Sequence, residues 1–471
     1  MNRNNFLPHV ALALVLILVA AFAGQLRRWQ KEWKHRVQII PAEEKRRSPI
    51  NNVEAAPYEN RGFGAPEVLV KFRQGVNEEA IERITLGLHD RVEDEIESVP
   101  GLDAIDDLDD KTAEAVAAQY RGLPEVEYAE AVFEISADDF DSAGSPITPR
   151  DPRFSEQWAL FNDGSRGGTT GADISATHAW TVTTGSDKVV VAVLDSGVDY
   201  THSDLASNMW IRPNSVDPYE DRDLGTIQDL HGYNAVENSA DPMDDNGHGT
   251  HCAGIIGAEG GNDIGIAGVN WKVQIMPLKF MNAGGYGTTK DAIEAINYVI
   301  DRKKAGVNVR VISASWGSTQ KSRALEDVIR KAYEADILFV AASGNASTNN
   351  DRSPHYPSSY NVPNVVSVAA LDRNDQLASF SNYGLKSVAI AAPGVDILST
   401  WLGDEYEEKS GTSMATPVVA GVAALISANE PKITVDQLRS RLLAAVDPLN
   451  SLKGKVVSGG RINAAKALGT K

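Results

Sequence analysis

Three side chains that can form a nucleophilic triad lie far apart in the sequence: Asp195, His248 and Ser413. A serine hydroxyl is a weak nucleophile until a base removes its proton, and histidine can take up and return a proton near neutral pH. A carboxylate can hold the imidazole in the required tautomer and stabilise its charged form. Asp, His and Ser in this chain order form one of three known orders of such a triad, so the order favours acyl-transfer chemistry.

Two of these residues also have ordinary structural interpretations. Ser413 lies in GTSMATPVVA, residues 411–420, before an apolar run that predicts a buried helix. A serine there is often only a helix cap, and an aspartate after a strand, such as Asp195, is often only a loop cap. We place Pro417 in the first helical turn, where its missing N–H costs nothing. A helix start beside Ser413 would favour negative charge developing near its hydroxyl.

His248 shares the segment GHGTHCAG with His251 and Cys252. The H-x-x-H spacing could indicate a metal site, but the zinc-protease pattern H-E-x-x-H is not present. Cys252 could be a thiol nucleophile, although nothing in the sequence directs a base toward it and a lone cysteine is more often a small buried residue. One cysteine also excludes an intramolecular disulfide.

Short apolar runs alternate with helical patterns through residues 151–471. The runs are 189–194, 273–278, 309–313, 337–341 and 365–368, and the helical patterns are 250–258, 288–303, 321–335 and 414–428. This alternation predicts an α/β fold with a mostly parallel sheet and helices on both faces. Reactive groups are then expected at the C-terminal ends of the strands.

The N-terminal region predicts a leader and a linker. Residues 1–24 combine Arg3, an apolar run and Ala21-Phe22-Ala23, which is typical of a signal peptide. If it is not cleaved, residues 10–24 would be a short membrane anchor, although the basic cluster at 27–36 would hold its C-terminal side in the cytoplasm. We expect export and a secreted or extracytoplasmic protein. Residues 25–63 are interpreted as a linker.

A second, smaller unit precedes the α/β region. Of the formal charge of −19, residues 64–141 carry −16. The sequence contains no basic stripe of the kind that binds nucleic acid. Residues 64–136 predict strand, helix, two middle strands, helix and strand, which is a small α+β sandwich. Its last strand, 126–135, is expected to alternate around Tyr128 and Val132. Residues 137–150 read as an exposed, cleavable connector.

Three segments carry a resemblance to a known family. VAVLDSGVD (191–199), GHGTHCAG (247–254) and GTSMATP (411–417) resemble the active-site signatures of subtilisin-like serine proteases, the subtilases. The resemblance covers residues 151–471 and is closest to the thermitase-like branch. It implies a subtilisin-like α/β fold and a triad of Asp195, His248 and Ser413, with His251 structural.

The resemblance also implies the residues around the triad. Asn345, in the segment AASGN, would donate to the oxyanion together with the Ser413 backbone N–H. Two segments would form the edges of the substrate cleft: Ser315, Trp316 and Gly317, and Gly285, Tyr286 and Gly287. His355 would line the floor of the primary pocket where many relatives have glycine, and we hypothesise that it narrows or polarises that pocket.

Structural calcium is a further implication. Asp204, Asn262 and the backbone of Ile264 and Ile266 match a family calcium site, and Asp151 falls where the thermitase branch supplies another carboxylate. Oxygen-only ligands from loops suit Ca²⁺. Ordinary polar loop residues are the alternative. A second candidate set departs from the relatives' pattern: Asn234, Glu237, Asp241 and Asp244.

The expected function is a secreted, self-processing serine endopeptidase of broad specificity that acts on protein or peptide substrates. The unit at 64–136 resembles the ferredoxin-like inhibitory prodomain of subtilases and would be an intramolecular inhibitor, with its tail near 135–145 in the cleft. One alternative is a non-catalytic binding relative. Another is an esterase of the α/β-hydrolase type, but that class requires G-x-S-x-G, which is not found.

Overall fold

A computed structural model describes residues 67–470 except 97, 110 and 133–145. The chain divides into two compact units, residues 1–135 and 136–471. The predicted leader, the linker at 25–63 and most of the connector at 137–150 lie outside the described residues.

The small unit has the predicted order of strands and helices. Its elements are β1 (Glu67–Phe72), α1 (Glu78–Leu88), β2 (Asp90–Glu95), β3 (Leu102–Asp107), α2 (Ala113–Arg121) and β4 (Val126–Ala131). The strands form an antiparallel sheet in the order β2-β3-β1-β4. Each helix begins at a side-chain cap, Asn77 for α1 and Thr112 for α2, that accepts a hydrogen bond from a backbone N–H in the first turn.

The predicted alternation in β4 is wrong. Val126 and Ala129 are buried, whereas Tyr128 and Val132 are each 43% exposed. The pairing of β4 with β1 shifts register between Lys71 and Phe72. An irregularity of this kind changes which side chains face the core, and a period-two pattern in the sequence does not anticipate it.

The small unit contains a buried acidic pair whose ionisation would couple its stability to pH. Asp90 faces Asp107 across β2 and β3, and its carboxyl is buried beside the Tyr120 hydroxyl. Burial raises the pKa of Asp90, and the nearby Tyr120 hydroxyl only partly opposes this shift. The folded unit therefore holds this proton more tightly than the unfolded chain does. The resulting stabilisation is complete below the unfolded pKa and is lost as pH rises toward the folded one.

We expect the small unit to open more readily at about pH 7 than at about pH 4. The free energy of opening can be obtained from amide hydrogen exchange in the full chain, corrected for the intrinsic exchange rate at each pH. Asp90→Asn should flatten the pH dependence, and Asp94→Asn, at an exposed position, should leave it unchanged. A pH dependence that is the same in wild type and Asp90→Asn would contradict this assignment.

The large unit is built on a nine-stranded sheet. In chain order the sheet strands are β5 (Gly185–Asp195), β8 (Tyr233–Asn234), β9 (Lys272–Lys279), β10 (Val309–Ala314), β11 (Leu338–Ala342), β12 (Val365–Leu371), β13 (Ile390–Pro393), β16 (Val446–Pro448) and β17 (Gly460–Ile462). The spatial order is β16-β17-β13-β12-β11-β10-β5-β9-β8, and every pair except β16 with β17 is parallel. Two separate hairpins complete the strands: β6 (Tyr219–Asp221) with β7 (Gly225–Ile227), and β14 (Ile397–Trp401) with β15 (Glu405–Lys409).

Helices cover both faces of this sheet. They are α3 (Ala176–Ala179), α4 (His248–Gly257), α5 (Thr289–Lys304), α6 (Arg323–Glu334), α7 (Thr412–Asn429), α8 (Val435–Ala444) and α9 (Ala464–Ala467). Alternate residues of β5 enter two different cores: Val191 and Val193 pack with α4, α7 and α8, and Val190 and Ala192 pack with α5 and α6. The predicted α/β fold with a mostly parallel sheet is confirmed.

Helix α7 runs through the core beneath the sheet. It is apolar and long enough to cross a membrane by composition, but it is 83% buried within the protein, as expected of a core helix. Pro417 is the sixth residue of α7 rather than a first-turn residue. The missing N–H of Pro417 therefore frees the carbonyl of Ser413, four residues earlier. The Ser315 hydroxyl donates to that carbonyl over 2.8 Å.

Candidate active site

Asp195 and His248 meet at the C-terminal edge of the sheet. Asp195 is the last residue of β5 and is fully buried, and His248 is the first residue of α4. Nδ1 of His248 lies 2.7 Å from Oδ1 of Asp195, and the same oxygen accepts a hydrogen bond from the Ser196 backbone N–H over 2.8 Å. The His248 side chain is 31% exposed, so its other edge is accessible.

The charge of Asp195 adjusts the basicity of this imidazole. Burial by itself lowers the pKa of His248, but the Asp195 carboxylate outweighs burial through its charge and its hydrogen bond. The net pKa of His248 is raised above its ordinary value. A proton taken up by this ring is therefore held more firmly than in free histidine, as a general base requires.

Contacts between the two loops hold the pair in place. The Ser196 hydroxyl accepts from the Gly249 backbone N–H over 2.9 Å, and the Thr250 hydroxyl accepts from the Asp199 N–H over 2.9 Å. A side chain at Gly249 would begin 2.0 Å from the Gly197 carbonyl oxygen, so only glycine permits this approach. Sequence reasoning missed these supporting residues, although each lies within one of the three motifs.

Ser413 is the second residue of α7 and lies beside the edge segment 315–317. Its hydroxyl donates to the Ser315 carbonyl oxygen over 3.0 Å. Among the residues that the structure describes, no hydrogen bond joins Ser413 to His248, and catalytic hydrogen bonds commonly tighten only in the substrate complex. Cys252 connects the two halves of the site, because its thiol contacts the Ser413 carbonyl at 3.5 Å and lies within 4.8 Å of donor atoms of Asp195 and His248.

Cys252 is not an activated thiol. It is fully buried, and burial raises its pKa well above the ordinary value. The thiolate is the reactive form of cysteine, so this position disfavours a nucleophilic role. The arrangement instead leaves the Ser413 hydroxyl as the nucleophile candidate, with Cys252 between its backbone carbonyl and the Asp195–His248 pair.

Asn345 is held by its amide oxygen. It follows β11, and its Oδ1 accepts from both the backbone N–H and the hydroxyl of Thr412, each over 2.9 Å. Its amide nitrogen lies beside the turn at Gly411, since a methyl group added there would lie 3.4 Å from Nδ2. With the oxygen held by Thr412, the NH₂ group is the part of Asn345 that can donate a hydrogen bond to another partner.

Comparison with known proteins identifies the family. A profile described as the subtilase family matches residues 186–460, more than half of the chain. The chain belongs to the subtilase family. It is therefore a subtilisin-like serine endopeptidase, and the family implies the Asp-His-Ser triad.

Two relatives of this subtilase show how far the similarity extends. A thermophilic serine proteinase of Bacillus sp. (strain AK1) is 34% identical over 87% of this chain and 89% of its own length. Thermitase of Thermoactinomyces vulgaris is 34% identical over 68% of this chain and 99% of its own length. A crystal structure of a cold-adapted subtilisin-like serine proteinase is 28% identical, with a TM-score of 0.47 over 59% of this chain and 90% of that one.

The two predicted cleft edges of the subtilase differ in exposure. Residues 285–287 form a turn after β9 in which Tyr286 is 78% exposed, closed by a bridge between Met281 and Gly287. On the other edge Ser315 is buried against Ser413, and Trp316 turns its indole inward to donate to the Leu194 carbonyl over 3.0 Å.

The imidazole of His355 lies between two glycines of the site. A methyl group added at Gly317 would lie 2.1 Å from its Cε1, and one added at Gly344 would lie 3.0 Å from its Cδ2. Burial lowers the pKa of His355, and a backbone hydrogen bond with Ala342 opposes this shift only in part.

The predicted calcium ligands gather in one loop cluster. Asp204 is fully buried, and its oxygens accept from the Asn262 amide (2.9 Å), the Ile266 N–H (3.0 Å) and the Tyr406 hydroxyl (3.1 Å). Oδ2 of Asp151 accepts from Gly261, whereas its buried Oδ1 has no partner among the described residues. The Ile264 N–H donates to the Asn262 amide oxygen over 2.8 Å.

The buried charge of these residues favours a cation, and Oδ1 of Asp151 is an oxygen that could bind one. Burial raises the pKa of both Asp151 and Asp204, and the charge of Asp151 adds to the shift at Asp204. Two buried carboxylates that repel each other are stabilised by a cation with oxygen ligands.

The structure assigns structural positions to two other residues singled out in the sequence, Asp244 and His251. Asp244, of the second candidate calcium set, caps α4 instead: its oxygens accept from the backbone N–H groups of Asn246, Gly247 and Thr250. His251 is fully buried, contacts the Glu407 carbonyl at 2.9 Å, and burial lowers its pKa to about 3. It is therefore a neutral histidine in the core, consistent with the structural role implied for it.

Proposed function

We propose that Asp195, His248 and Ser413 carry out peptide-bond hydrolysis, with Asn345 and the Ser413 backbone N–H as oxyanion donors. The observation that carries the proposal is the buried 2.7 Å contact between Asp195 and His248 at the C-terminal sheet edge. Labelling with phenylmethylsulfonyl fluoride or a fluorophosphonate tests the proposal: the wild type should be labelled and Ser413→Ala should not. A wild-type protein that is folded but never labelled would instead support the non-catalytic binding role.

The steps follow from the chemistry of each group. His248 takes the proton from the Ser413 hydroxyl while the Ser413 oxygen attacks the scissile carbonyl carbon. The carbonyl oxygen gains negative charge and is stabilised by donors already in place, so little reorganisation is needed. The protonated His248 gives its proton to the leaving amine, and water then repeats the sequence on the acyl-enzyme. Asp195 remains ionised and holds Nδ1–H throughout.

We expect Asn345→Ala to lower kcat by about 10²- to 10³-fold, as one lost oxyanion donor typically does, with little change in KM. The donor acts only on the charge of the transition state, so substrate binding is spared. Steady-state kinetics on one peptide substrate measures both constants. Asn345→Asp keeps the acceptor for Thr412 but loses the N–H donor, so it should be impaired at least as strongly. Full activity in either variant would remove Asn345 from this role.

Substrate would bind as an added strand between segment 285–287 and segment 315–317. Backbone hydrogen bonds supply most of the contacts in this mode, so a wide range of protein and peptide segments would be accepted. Trp316, turned inward, would support its edge rather than contact substrate with its indole N–H.

The proposal includes synthesis as a secreted zymogen whose small unit, 64–136, is an inhibitory prodomain. The strand and helix order of that unit supports this role. The Bacillus relative also aligns over 87% of this chain, which is more than residues 151–471 alone can account for. Residues 10–24 would serve as a signal peptide or as a membrane tether.

N-terminal sequencing tests the zymogen proposal. Wild-type protein recovered from the medium should begin within 137–150, whereas Ser413→Ala should retain its small unit. Protein that is labelled by fluorophosphonate but keeps the whole N-terminal region would contradict self-processing. Recovery in the membrane fraction with residues 10–24 intact would assign that segment as a tether.

Calcium is proposed as a structural ion held by Asp151, Asp204, Asn262 and the backbone at Ile264 and Ile266. Bound calcium would neutralise the two buried carboxylates and link the chain at Asp151 to the loop after α4.

We expect chelation to lower the melting temperature of the Ser413→Ala protein, in which self-digestion cannot interfere. At free calcium of 100 to 1,000 times Kd, binding contributes about 3 to 4 kcal/mol. Asp204→Asn should abolish the difference between calcium and chelator, and Asp263→Asn, at a side chain that is 64% exposed, should preserve it. A melting temperature that calcium does not change would contradict the site.

A further inference from the structure

The imidazole of His355 lies against two of the segments that surround the nucleophile. One of its glycine neighbours, Gly344, directly precedes the oxyanion donor Asn345, and the other, Gly317, lies two residues after Ser315, which contacts Ser413. The first side chain on the acyl side of the scissile bond must lie beside this same group of residues. The ring therefore fills the place into which that side chain projects.

The backbone that carries the ring is fixed to the cleft edge. The backbone N–H and carbonyl of Tyr356 pair with Ser318 over 2.8 and 2.7 Å, which fixes the segment to the cleft edge. The His355 carbonyl accepts from the Ser358 hydroxyl (2.7 Å) and the Ser359 N–H (2.8 Å). With the backbone fixed and the ring between Gly317 and Gly344, a large substrate side chain would compete with the imidazole for the same space.

We infer that His355 shortens the primary specificity pocket and restricts this endopeptidase to substrates with a small side chain, such as alanine, serine or glycine, before the scissile bond. This inference rests on the proposed function and deepens it. The restriction is steric, because a ring in contact with both Gly317 and Gly344 spans the gap that a phenylalanine or leucine side chain would need. Selection is thus narrow at this one position and broad along the rest of the extended substrate.

Charge is not the basis of the restriction. The imidazole is partly buried, which lowers its pKa and favours the neutral form near pH 7, so it does not attract an acidic side chain. Cleavage after glutamate should accordingly stay poor from about pH 6 to pH 9, while cleavage after alanine follows the ordinary titration of the catalytic base.

A peptide series that differs only at this position tests the inference. We expect kcat/KM after alanine to exceed that after phenylalanine by at least about tenfold in the wild type, a typical size for steric discrimination. His355→Gly should reverse the ratio by opening the pocket. His355→Gln, of similar volume and without a titrating ring, should keep the preference for alanine.

Two results would overturn the inference: a wild type that cleaves after phenylalanine as fast as after alanine, or His355→Gly with an unchanged ratio. Loss of the alanine preference in His355→Gln would also contradict a purely steric cause. Fluorophosphonate labelling distinguishes these results from a failure of the proposed catalytic function. A wild type that is labelled but shows no preference contradicts only the inference, and one that is never labelled contradicts the triad itself.

Discussion

Ser413→Ala is expected to lower kcat by about 10⁶-fold, the loss known for the nucleophile of subtilisin. The variant keeps the helix start and Asn345, the proposed oxyanion donor, so a residual acceleration over water should remain. His248→Ala should lose about as much, and the double variant no more than either single one, because hydroxyl and imidazole act as a unit. KM should change little, since the proposed cleft edges would bind substrate through their backbone.

An inactive variant is not expected to remove its own small unit, so that unit is first removed with affinity-tagged wild-type enzyme that is then withdrawn. Single-turnover kinetics then compares the proteins. Ser410→Ala is the matched control, because Ser410 is an exposed serine three residues earlier in the chain that bonds to Asp396 and not to the site. If the fold-losses in kcat of the two single variants multiplied in the double variant, Ser413 and His248 would not act together as nucleophile and base.

Asp195→Asn is expected to lower kcat by about 10⁴-fold at neutral pH. Oδ1 of Asp195 accepts from both His248 Nδ1 and the Ser196 N–H, so the carboxylate dictates which ring nitrogen carries the proton. An asparagine can instead donate to Nδ1, which leaves the proton on the nitrogen that must accept one from Ser413. The geometry would survive and the tautomer would be wrong.

The pH dependence distinguishes this cause from misfolding. Loss of the carboxylate should also lower the pKa of His248, since Asp195 is what raises it. The activity that remains should therefore reach its plateau at lower pH than in the wild type. Asp245→Asn is the control: Asp245 pairs with Lys279 near the site and does not contact the imidazole. An Asp195→Asn enzyme with near wild-type kcat would exclude Asp195 from the triad.

The sequence by itself determined the α/β class and the principal strands and helices. The buried strands are continuous apolar runs, and β5, β9, β10, β11 and β12 each contain or overlap the predicted segment. The short strands near the C-terminal end, β13, β16 and β17, were not predicted because three or four residues carry too little periodicity to detect. The three motifs also predicted which aspartate, histidine and serine to examine.

Only the tertiary structure decided how those residues are held and what surrounds them. Contacts between distant segments hold the Asn345 amide oxygen against Thr412 and bring the Ser315 hydroxyl to the Ser413 carbonyl that Pro417 leaves free. They also produce the register shift in the pairing of β4 with β1. The position of the His355 ring between Gly317 and Gly344 likewise depends on three segments that meet in space. Local sequence patterns encode periodicity and turn chemistry, whereas distances between segments far apart in the chain arise from packing the whole domain, so only the folded molecule specifies them.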